Sequence, residues 1–416
     1  MSDTNPIQNS INAHIIPTYA RFPLTITHGK GSHVFTNDGR RLLDRGSGIA
    51  TACLGHGHPE LAAALTEQAG KLTHISNLYY TEPQGLLAEK LVQHAGGHGK
   101  MFFCNSGAEA NEGLYKIARL HGHTDGRYEV ITTENSFHGR TLAGIAATGQ
   151  NKVKQGFEPA VEGFKHVPFN DLGAMQAAIT EKTAAILIEG IQGEGGIYPA
   201  KPEYLLGLRK LCTDKNILMM MDSVQCGFFR TGHFQSWETI LSDSNSDGFQ
   251  PDAFSMAKSL GAGLPMGAIW ANESLQDLLG PGTHGTTFGG TPLVSAHALK
   301  ALEIIERDGL AQHAVALGNL LAGKIQTLIE THPTVLKEVR GLGLMIGIEL
   351  AEDIPAFAES NRPASVQIVE RLHDAGLLTI PAGARVFRLL PPLNLSQADA
   401  DEGLAIIEGV IKELSS

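Results

Sequence analysis

Between about residue 55 and about residue 295, short apolar runs alternate with stretches of helical periodicity. Strands that are apolar along their whole length are typical of a parallel sheet that is covered by helices on both faces. The alternation therefore predicts an α/β fold with a mostly parallel sheet. The strand candidates are residues 101–104, 128–132, 184–189, 217–222, 253–256 and 266–271, and the helical candidates include 108–120 and 203–214.

After residue 295 the pattern changes to long helices followed by short strands, which predicts a smaller α+β domain. We expect a large domain over residues 55–295 and a C-terminal small domain over residues 296–416. Residues 1–54 are predicted to be an extended segment with short strands, including a hairpin at 34–44, that packs with the small domain. The C-terminal helix candidates are 292–307, 310–332, 364–375 and 398–414, and the strand candidates are 343–350, 377–381 and 385–389.

The composition argues against several classes of function. The 416 residues carry a net charge of −11, which disfavours nucleic acid and anionic membranes as partners. No apolar run approaches the roughly 18 residues that span a membrane, and the polar N-terminus lacks the features of a signal peptide. The four cysteines show no CxxC spacing, so we expect reduced thiols in a cytoplasmic protein. The glycine-flanked histidines at 55–59 and 121–123 lack recognisable ligand spacings, so no metal site is predicted.

Two residues indicate the chemistry. Asp222 ends an apolar run, and a carboxylate there lies at the carboxyl edge of a sheet, where ligands of open α/β sheets bind. Lys258 lies among small residues, and partial desolvation lowers the pKa of a lysine and makes it an amine nucleophile. Each residue alone is better explained as a surface lysine or a helix N-cap aspartate. Together they meet the needs of pyridoxal phosphate (PLP), because the lysine can bind the aldehyde and the aspartate can keep the pyridine nitrogen protonated.

The residues that follow Asp222 suit the same cofactor. Val224 is an apolar residue that can pack under a ring, and the amide of Gln225 can hydrogen-bond a phenolic oxygen. The tetrad from Asp222 to Gln225 therefore places three different cofactor contacts within four residues.

Two donor-rich turns are candidate phosphate sites. Ser106 and Glu109 fit a capping box at the start of a helix, and Gly107 lets the backbone approach a ligand there. Thr286 and Thr287 supply hydroxyl groups in a second glycine-rich turn. An ordinary capped helix and an ordinary polar turn remain the alternatives.

Four further side chains are candidates for contacts with a ring or a carboxylate. Phe137 can stack on a cofactor ring, and Arg140 in the same loop can bind a carboxylate through two hydrogen bonds. Glu194 stands among glycines, and Arg388 stands in an apolar strand, where it needs a partner or a ligand. The alternatives are a packed aromatic ring, a surface arginine, a solvated glutamate and an edge-strand arginine that reaches water.

The linked motifs NSGAEANE, FHGRTL, IQGEGG, DSVQ, AKSLGAGLPMGA and HGTTFGG, in this order, resemble the class III PLP-dependent aminotransferases of fold type I. The resemblance runs from about residue 14 to about residue 408. Segments 15–19, 74–83 and 166–171 are most similar to acetylornithine aminotransferases. The resemblance implies transfer of the terminal amino group of N2-acetylornithine to 2-oxoglutarate, which gives N-acetylglutamate 5-semialdehyde and glutamate in arginine biosynthesis.

The resemblance also implies the contacts of the cofactor. Lys258 would be the catalytic amine, and Asp222 would pair with the pyridine nitrogen. A phosphate contact that crosses between subunits would make a homodimer with shared active sites obligatory. The other implied contacts are Ser106, Gly107 and Ala108 with the phosphate, Phe137 and Val224 with the two ring faces, Gln225 with the ring oxygen, and Thr287 of the partner subunit with the phosphate.

For the substrates, the resemblance implies that Arg140 binds the α-carboxylate of the acylated diamine and that Arg388 binds that of glutamate. Glu194 would pair with Arg388 while the other substrate is bound. The alternatives are transamination of succinylornithine, succinyl-diaminopimelate, ornithine or 4-aminobutyrate, an aminomutase on the same fold, and a PLP-binding dimer without catalysis. The further substrate-binding candidates are Tyr19, Asn77 and Thr286.

The chain departs from the family pattern at four positions. The family usually has a glutamate, a proline, a small residue and an asparagine where this chain has Ser223, Gly190, Phe229 and Thr291. None of these changes removes a group that the chemistry requires. Ser223 lacks a charge next to Asp222, so it is the change that we expect to alter the surroundings of the cofactor.

Overall fold

The computed structural model describes residues 5–244 and 248–415. The strands are β1 (Ile26–Lys30), β2 (His33–Thr36), β3 (Arg41–Asp44), β4 (Lys100–Cys104), β5 (Glu129–Thr133), β6 (Phe164–Val167), β7 (Thr183–Glu189), β8 (Ile191–Gln192), β9 (Tyr198–Pro199), β10 (Leu218–Asp222), β11 (Ala253–Met256), β12 (Gly267–Ala271), β13 (Leu336–Leu342), β14 (Met345–Leu350), β15 (Leu377–Leu378), β16 (Ile380–Ala382) and β17 (Val386–Leu389). The helices are α1 (Pro6–His14), the single turn α2 (Ser47–Ala50), α3 (Pro59–Ala69), α4 (Glu82–His94), α5 (Gly107–Gly122), α6 (Leu142–Ala147), α7 (Leu172–Ala178), α8 (Pro202–Lys215), α9 (Ser236–Ile240), α10 (Pro292–Arg307), α11 (Leu310–Thr331), α12 (Ala364–Asp374) and α13 (Gln397–Ser415).

Seven strands form one large sheet in the order β4-β12-β11-β10-β7-β5-β6. Neighbouring strands from β11 to β6 run parallel, and β12 runs antiparallel to β11 and β4. The prediction of a mostly parallel sheet is confirmed, and all six predicted strands belong to it. Because parallel strands share their carboxyl edge, β7 and β10 bring Glu189 and Asp222 side by side.

Helices bury both faces of this sheet. Along β10, Leu218 and Met220 lie in one apolar cluster with residues of α5, whereas Met219 and Met221 lie in another with residues of α8. The two-residue repeat of a strand explains this separation, because successive side chains point to opposite faces. The sheet is therefore covered on both sides, as a parallel sheet requires.

Two smaller sheets of four strands lie outside the large one. Strands β13, β14, β17 and β16 form an antiparallel sheet, in which β17 lies between β14 and β16. In the other sheet β3 pairs in parallel with β15, which joins the N-terminal residues to the C-terminal part of the chain. The predicted hairpin is confirmed as β2 and β3. The boundaries at residues 54 and 295 remain predictions.

Several local predictions are wrong. The N-terminal segment contains helix α1, whose start is stabilised because the Asn5 side chain accepts a hydrogen bond from the N–H of Ile7 and Pro6 is the first helical residue. Strands β6 and β13 were not predicted, because each lies at the edge of its sheet and contains charged or half-exposed residues instead of an apolar run. The single strand predicted at 377–381 is divided between β15 and β16, which belong to different sheets.

Two predictions from the composition can be compared with the structure. All four cysteines are buried free thiols, as predicted. Among the helices of residues 5–244 and 248–415, none combines the length and the apolar character that crossing a membrane requires.

Candidate active site

A cavity of about 470 Å³ lies at the sheet edge where β7, β10 and β11 end. It brings together residues that are up to 215 positions apart in the sequence, from Thr51 to Met266. Ten of the predicted site residues line it, and they come from the ends of five different strands or from the segments that follow those strands. These residues are Ser106, Gly107, Ala108, Phe137, Arg140, Glu194, Asp222, Val224, Gln225 and Lys258.

Lys258 follows β11 and begins a short 3₁₀ turn. Its backbone φ of 47° lies in the left-handed region, which is unfavourable for a residue with a side chain and is concentrated at functional sites. Burial lowers the pKa of the Lys258 ammonium group, and the negative charge of Glu194 offsets part of that effect. The residue is thus held in a strained conformation with its amine at the cavity, in surroundings that favour the neutral, nucleophilic form.

We expect the Lys258 amine to react with a small aldehyde at lower pH than an exposed lysine does. Its pKa is lowered from the ordinary value of 10.5, so the neutral amine accumulates at lower pH as the pH rises. Reductive labelling of the cofactor-free protein, mapped by mass spectrometry from about pH 6 to about pH 10, measures this directly. The exposed Lys210 serves as the internal reference. A labelling midpoint for Lys258 at or above that of Lys210 would contradict the expectation.

Asp222 is the last residue of β10 and is 3% exposed. Its Oδ2 accepts hydrogen bonds from Nδ2 of Asn111 at 2.7 Å and from Nδ1 of His138 at 2.8 Å, and its Oδ1 accepts from the N–H of Val224 at 3.0 Å. Burial disfavours the charged imidazole, but the hydrogen bond and the charge of Asp222 outweigh it and raise the pKa of His138. Three donors therefore stabilise a buried carboxylate at the cavity, and this carboxylate can hold a proton on a ring nitrogen.

Asn111 and His138 are functional candidates that the sequence did not reveal. Both stand in motifs that were recognised, NSGAEANE and FHGRTL, but neither was given a role. Their contacts with Asp222 join residues 111 and 84 positions apart. The residue pattern within one motif does not indicate which distant residue its side chains will contact, so these two hydrogen bonds could not be predicted.

The N-terminus of α5 faces the cavity. Oγ of Ser106 accepts from the N–H of Glu109 at 3.2 Å, as a capping box predicts, but the Glu109 carboxylate accepts from the N–H of Asn105 at 2.6 Å. A Cβ atom on Gly107 would lie 2.7 Å from Val224, so only glycine allows this close approach. The free N–H groups of the first turn and the positive end of the helix dipole make this a site for an anion.

Arg388 is 1% exposed and forms an ion pair with Glu194, whose side chain is 28% exposed. Its Nη1 lies 2.7 Å from Oε1 of Glu194 and donates a hydrogen bond to Oε1 of Gln225 at 3.0 Å. Burial acts to raise the pKa of Glu194, but the charge of Arg388 outweighs it and lowers the pKa. A solvated glutamate and an edge-strand arginine are therefore excluded. Arg388 lies behind Glu194 and Gln225, which line the cavity.

The structure does not bring every predicted residue to the cavity of its own chain. Tyr19 is 73% exposed, and Thr287 is also exposed. Nδ2 of Asn77 donates to the backbone oxygen of Gly289 at 2.9 Å, and Oγ1 of Thr286 accepts from Nδ2 of Asn105 at 2.7 Å. These four predicted residues lie outside the lining of the cavity.

None of the four departures from the family pattern lines the cavity. A Cβ atom on Gly190 would lie 2.2 Å from Oγ of Ser236, so a larger residue at position 190 would require Ser236 to move. Ser223 is 2% exposed, and Phe229 is buried in a cluster of aromatic rings. Thr291 donates to the backbone at 2.6 Å. The expectation that Ser223 alters the surroundings of the cofactor stays a prediction.

The donor set around the cavity fits PLP. The α5 N-terminus provides N–H groups for a phosphate, Asp222 provides a buried carboxylate for a ring nitrogen, and Lys258 provides an amine at the same cavity. Phe137 and Val224 add the apolar groups that a ring needs. The residues that the sequence implied for these contacts therefore line one cavity.

Comparison with known proteins agrees with this chemistry. The family model described as "Aminotransferase class-III" matches residues 15–411. A protein from Gloeobacter violaceus named acetylornithine aminotransferase is 44% identical over 98% of this chain and 98% of its own. A protein of the same name from Methanocaldococcus jannaschii is 42% identical over 100% of both chains.

Solved structures are similar over the same length. Ornithine aminotransferase from Toxoplasma gondii superposes with a TM-score of 0.89 and 30% identity over 98% of this chain and 94% of its own. Another structure of that enzyme is described as having PLP at partial occupancy in its active site. Acetylornithine aminotransferase from Elizabethkingia anophelis superposes with a TM-score of 0.83 and 29% identity over 98% of both chains. This chain belongs to the class III aminotransferases, which are PLP-dependent enzymes.

Proposed function

We propose that this aminotransferase transfers the terminal amino group of N2-acetylornithine to 2-oxoglutarate and so serves arginine biosynthesis. The observation that carries the proposal is the ion pair between buried Arg388 and partly exposed Glu194 beside Lys258, because a pair that can open suits two alternating substrates. The full-length relatives named acetylornithine aminotransferase support the choice of amine donor. A location in the cytoplasm, which the four thiol cysteines favour, is part of the proposal.

Different residues of the cavity are proposed to perform different parts of the reaction. Bound PLP supplies an electron sink for the bond that is broken at the substrate carbon. Nζ of Lys258 would take the proton from the carbon that carries the reacting amino group and would deliver it to the carbon of the cofactor's aldehyde group. Asp222 keeps a proton on the ring nitrogen, and the N–H groups at Gly107 and Ala108 hold the phosphate.

The remaining residues recognise the substrates. Arg140, on the surface of the cavity, is proposed to bind the α-carboxylate of the acylated diamine, with its guanidinium carbon 5.4 Å from the ring centre of Phe137. Arg388 is proposed to bind the α-carboxylate of glutamate after Glu194 moves away. While the diamine is bound, the Glu194–Arg388 pair neutralises that arginine.

A homodimer with a shared active site is part of the proposal. Apolar side chains near the cavity are unusually exposed in the single chain: Leu78 by 86%, Tyr79 by 62% and Phe288 by 60%. An exposed apolar patch of this kind is typical of a protein interface. Thr287 lies outside its own cavity, so it is available to the cavity of a second copy, which would receive a phosphate contact from Thr287 of the partner subunit.

We expect Arg388→Gln to slow the half-reaction with glutamate at least about 100-fold more than the half-reaction with N2-acetylornithine. The variant loses the buried cation that binds the glutamate carboxylate, and truncation of a buried charge pair costs about 2–5 kcal/mol. Stopped-flow absorbance of the PLP-loaded enzyme measures each half-reaction separately. Arg385→Gln, a half-exposed arginine near the same strand, is the matched control. Equal losses in both half-reactions would contradict the assignment of Arg388.

The substrate proposal is tested by comparing amine donors. Values of kcat/KM with 2-oxoglutarate should be highest for N2-acetylornithine, followed by succinylornithine and succinyl-diaminopimelate. Ornithine is the second candidate donor, because ornithine aminotransferases are among the similar solved structures. If ornithine or 4-aminobutyrate gives a higher kcat/KM than every acylated diamine, the proposed amine donor is wrong, but the assignment to the aminotransferase family is unaffected.

A further inference from the structure

Glu189 is a buried carboxylate at the cavity for which the chemistry described above has no use. It is the last residue of β7, lies beside Asp222 in the register of the sheet and is 5% exposed. A second carboxylate next to Asp222 is unfavourable, because burial and like charge both disfavour ionisation. Its presence therefore requires a reason other than packing.

The contacts of Glu189 supply that reason. Its Oε2 accepts a hydrogen bond from the N–H of Phe137 at 3.1 Å, and its Oε1 accepts from the N–H of Gly193 at 3.2 Å. Phe137 and Gly193 belong to different loops, which follow β5 and β8. One side chain thus joins the loop that covers the proposed ring site to the loop that carries Glu194.

The loop that carries Gly193 and Glu194 also contacts the residues around Arg388. A Cβ atom on Gly193 would lie 2.6 Å from Oε1 of Gln225, so the loop backbone is in close contact with that amide. Gln225 in turn accepts from Arg388, and Arg388 is paired with Glu194, the residue after Gly193. A shift at Gly193 would therefore move both partners of Arg388.

A glutamine could not replace this carboxylate. Only a carboxylate offers two acceptor oxygens, whereas a glutamine amide offers one acceptor and one donor group. Burial raises the pKa of Glu189 to about 7, with the charge of His138 acting in the opposite direction. Burial of this acid is unfavourable for its charged form. The two backbone N–H groups explain its presence, because each needs an acceptor.

We propose that Glu189 is a positioning residue that ties the Phe137 loop to the Gly193–Glu194 loop and so holds the Glu194–Arg388 pair in the arrangement that the diamine half-reaction needs. The second part of this proposal rests on the proposed function. The tie itself depends only on the two hydrogen bonds and can be tested without any substrate.

Hydrogen–deuterium exchange, read by mass spectrometry, tests the tie in the cofactor-free and the PLP-loaded protein. Glu189→Ala should speed exchange roughly 5- to 100-fold in both peptides, the one with Phe137 and the one with Gly193, because each buried N–H loses its acceptor. Glu189→Gln keeps one acceptor and should affect only one of the two peptides. The matched control is Glu238→Gln, because Glu238 is a half-buried glutamate that lies away from the cavity and also accepts from a backbone N–H, that of Gln235 at 2.8 Å. This control should leave both peptides unchanged.

Half-reaction rates test the consequence for Glu194. In Glu189→Ala the diamine half-reaction should slow at least about tenfold more than the glutamate half-reaction. The same result is expected for Glu189→Gln if exchange is faster in its Gly193 peptide. Equal losses in both half-reactions would overturn the link to Glu194. Unchanged exchange in both peptides would overturn the tie. If no acylated diamine reacts with the wild-type enzyme but Glu189→Ala still speeds exchange in both peptides, the proposed substrate is wrong and the tie between the two loops is supported.

Discussion

Lys258→Ala should lower the rate of transamination by at least about 10⁴-fold, because it removes both the amine that binds the cofactor aldehyde and the base that moves the proton. The cavity places the Lys258 side chain with Asp222 and the α5 N-terminus. PLP should still bind to the variant, since the phosphate site and Asp222 remain. Single-turnover rates and a titration of the cofactor-free protein with PLP measure the two effects.

Two controls make this result specific to the amine. Lys210→Ala removes an exposed lysine and should leave the rate within about twofold, as surface substitutions usually do. A small primary amine such as ethylamine should restore part of the proton transfer in Lys258→Ala, because it supplies the missing base. Activity of Lys258→Ala near that of the wild type would remove Lys258 from its role.

Asp222→Asn should lower both half-reactions by roughly 10²- to 10⁴-fold. The amide cannot stabilise a proton on the ring nitrogen, and His138 and Asn111 lose the carboxylate oxygen that accepts from both of them. Removal of one partner of a buried charged pair costs about 3–5 kcal/mol, which corresponds to this range of rates. Single-turnover rates with glutamate and with the diamine measure the loss.

Asp252→Asn is the matched control for this substitution. Asp252 is a partly buried carboxylate just before β11, where it accepts from the N–H of Met219 at 2.7 Å and pairs with Arg209 at 2.9 Å. It lies at the opposite end of the strands from the cavity, so its variant should lose stability but keep the rate within about threefold. If Asp222→Asn behaves like Asp252→Asn, then Asp222 has only a structural role.

The large sheet could be predicted from the sequence because its interior strands are apolar without interruption. Strands β7, β10 and β11 are buried along their whole length, and this pattern is visible in the sequence. The two edge strands that were missed carry no such signal: β6 contains Lys165 and His166, and β13 mixes charged and apolar residues. Helix α1 escaped prediction because it buries no side chain, so only its capping residues mark it.

The site could be predicted where a residue type and its neighbours indicate the chemistry, as at Lys258, Asp222 and the start of α5. The hydrogen bonds that support these residues could not be predicted, because they depend on which loops the sheet brings together. Glu189 and His138 both stand in or next to recognised motifs, but Phe137, one of the two partners of Glu189, lies 52 residues away, and Asp222, the partner of His138, lies 84 residues away. The Gln225–Arg388 hydrogen bond spans 163 residues and was likewise invisible.

The decisive measurement is the visible absorption spectrum of the purified, PLP-loaded enzyme before and after N2-acetylornithine is added alone. The proposed function predicts that the absorption band of the lysine-bound cofactor disappears and that 2-oxoglutarate restores it, because the amino group passes first to the cofactor and then to the keto acid. A band that N2-acetylornithine leaves unchanged, in an enzyme whose band glutamate does remove, would contradict the proposed amine donor.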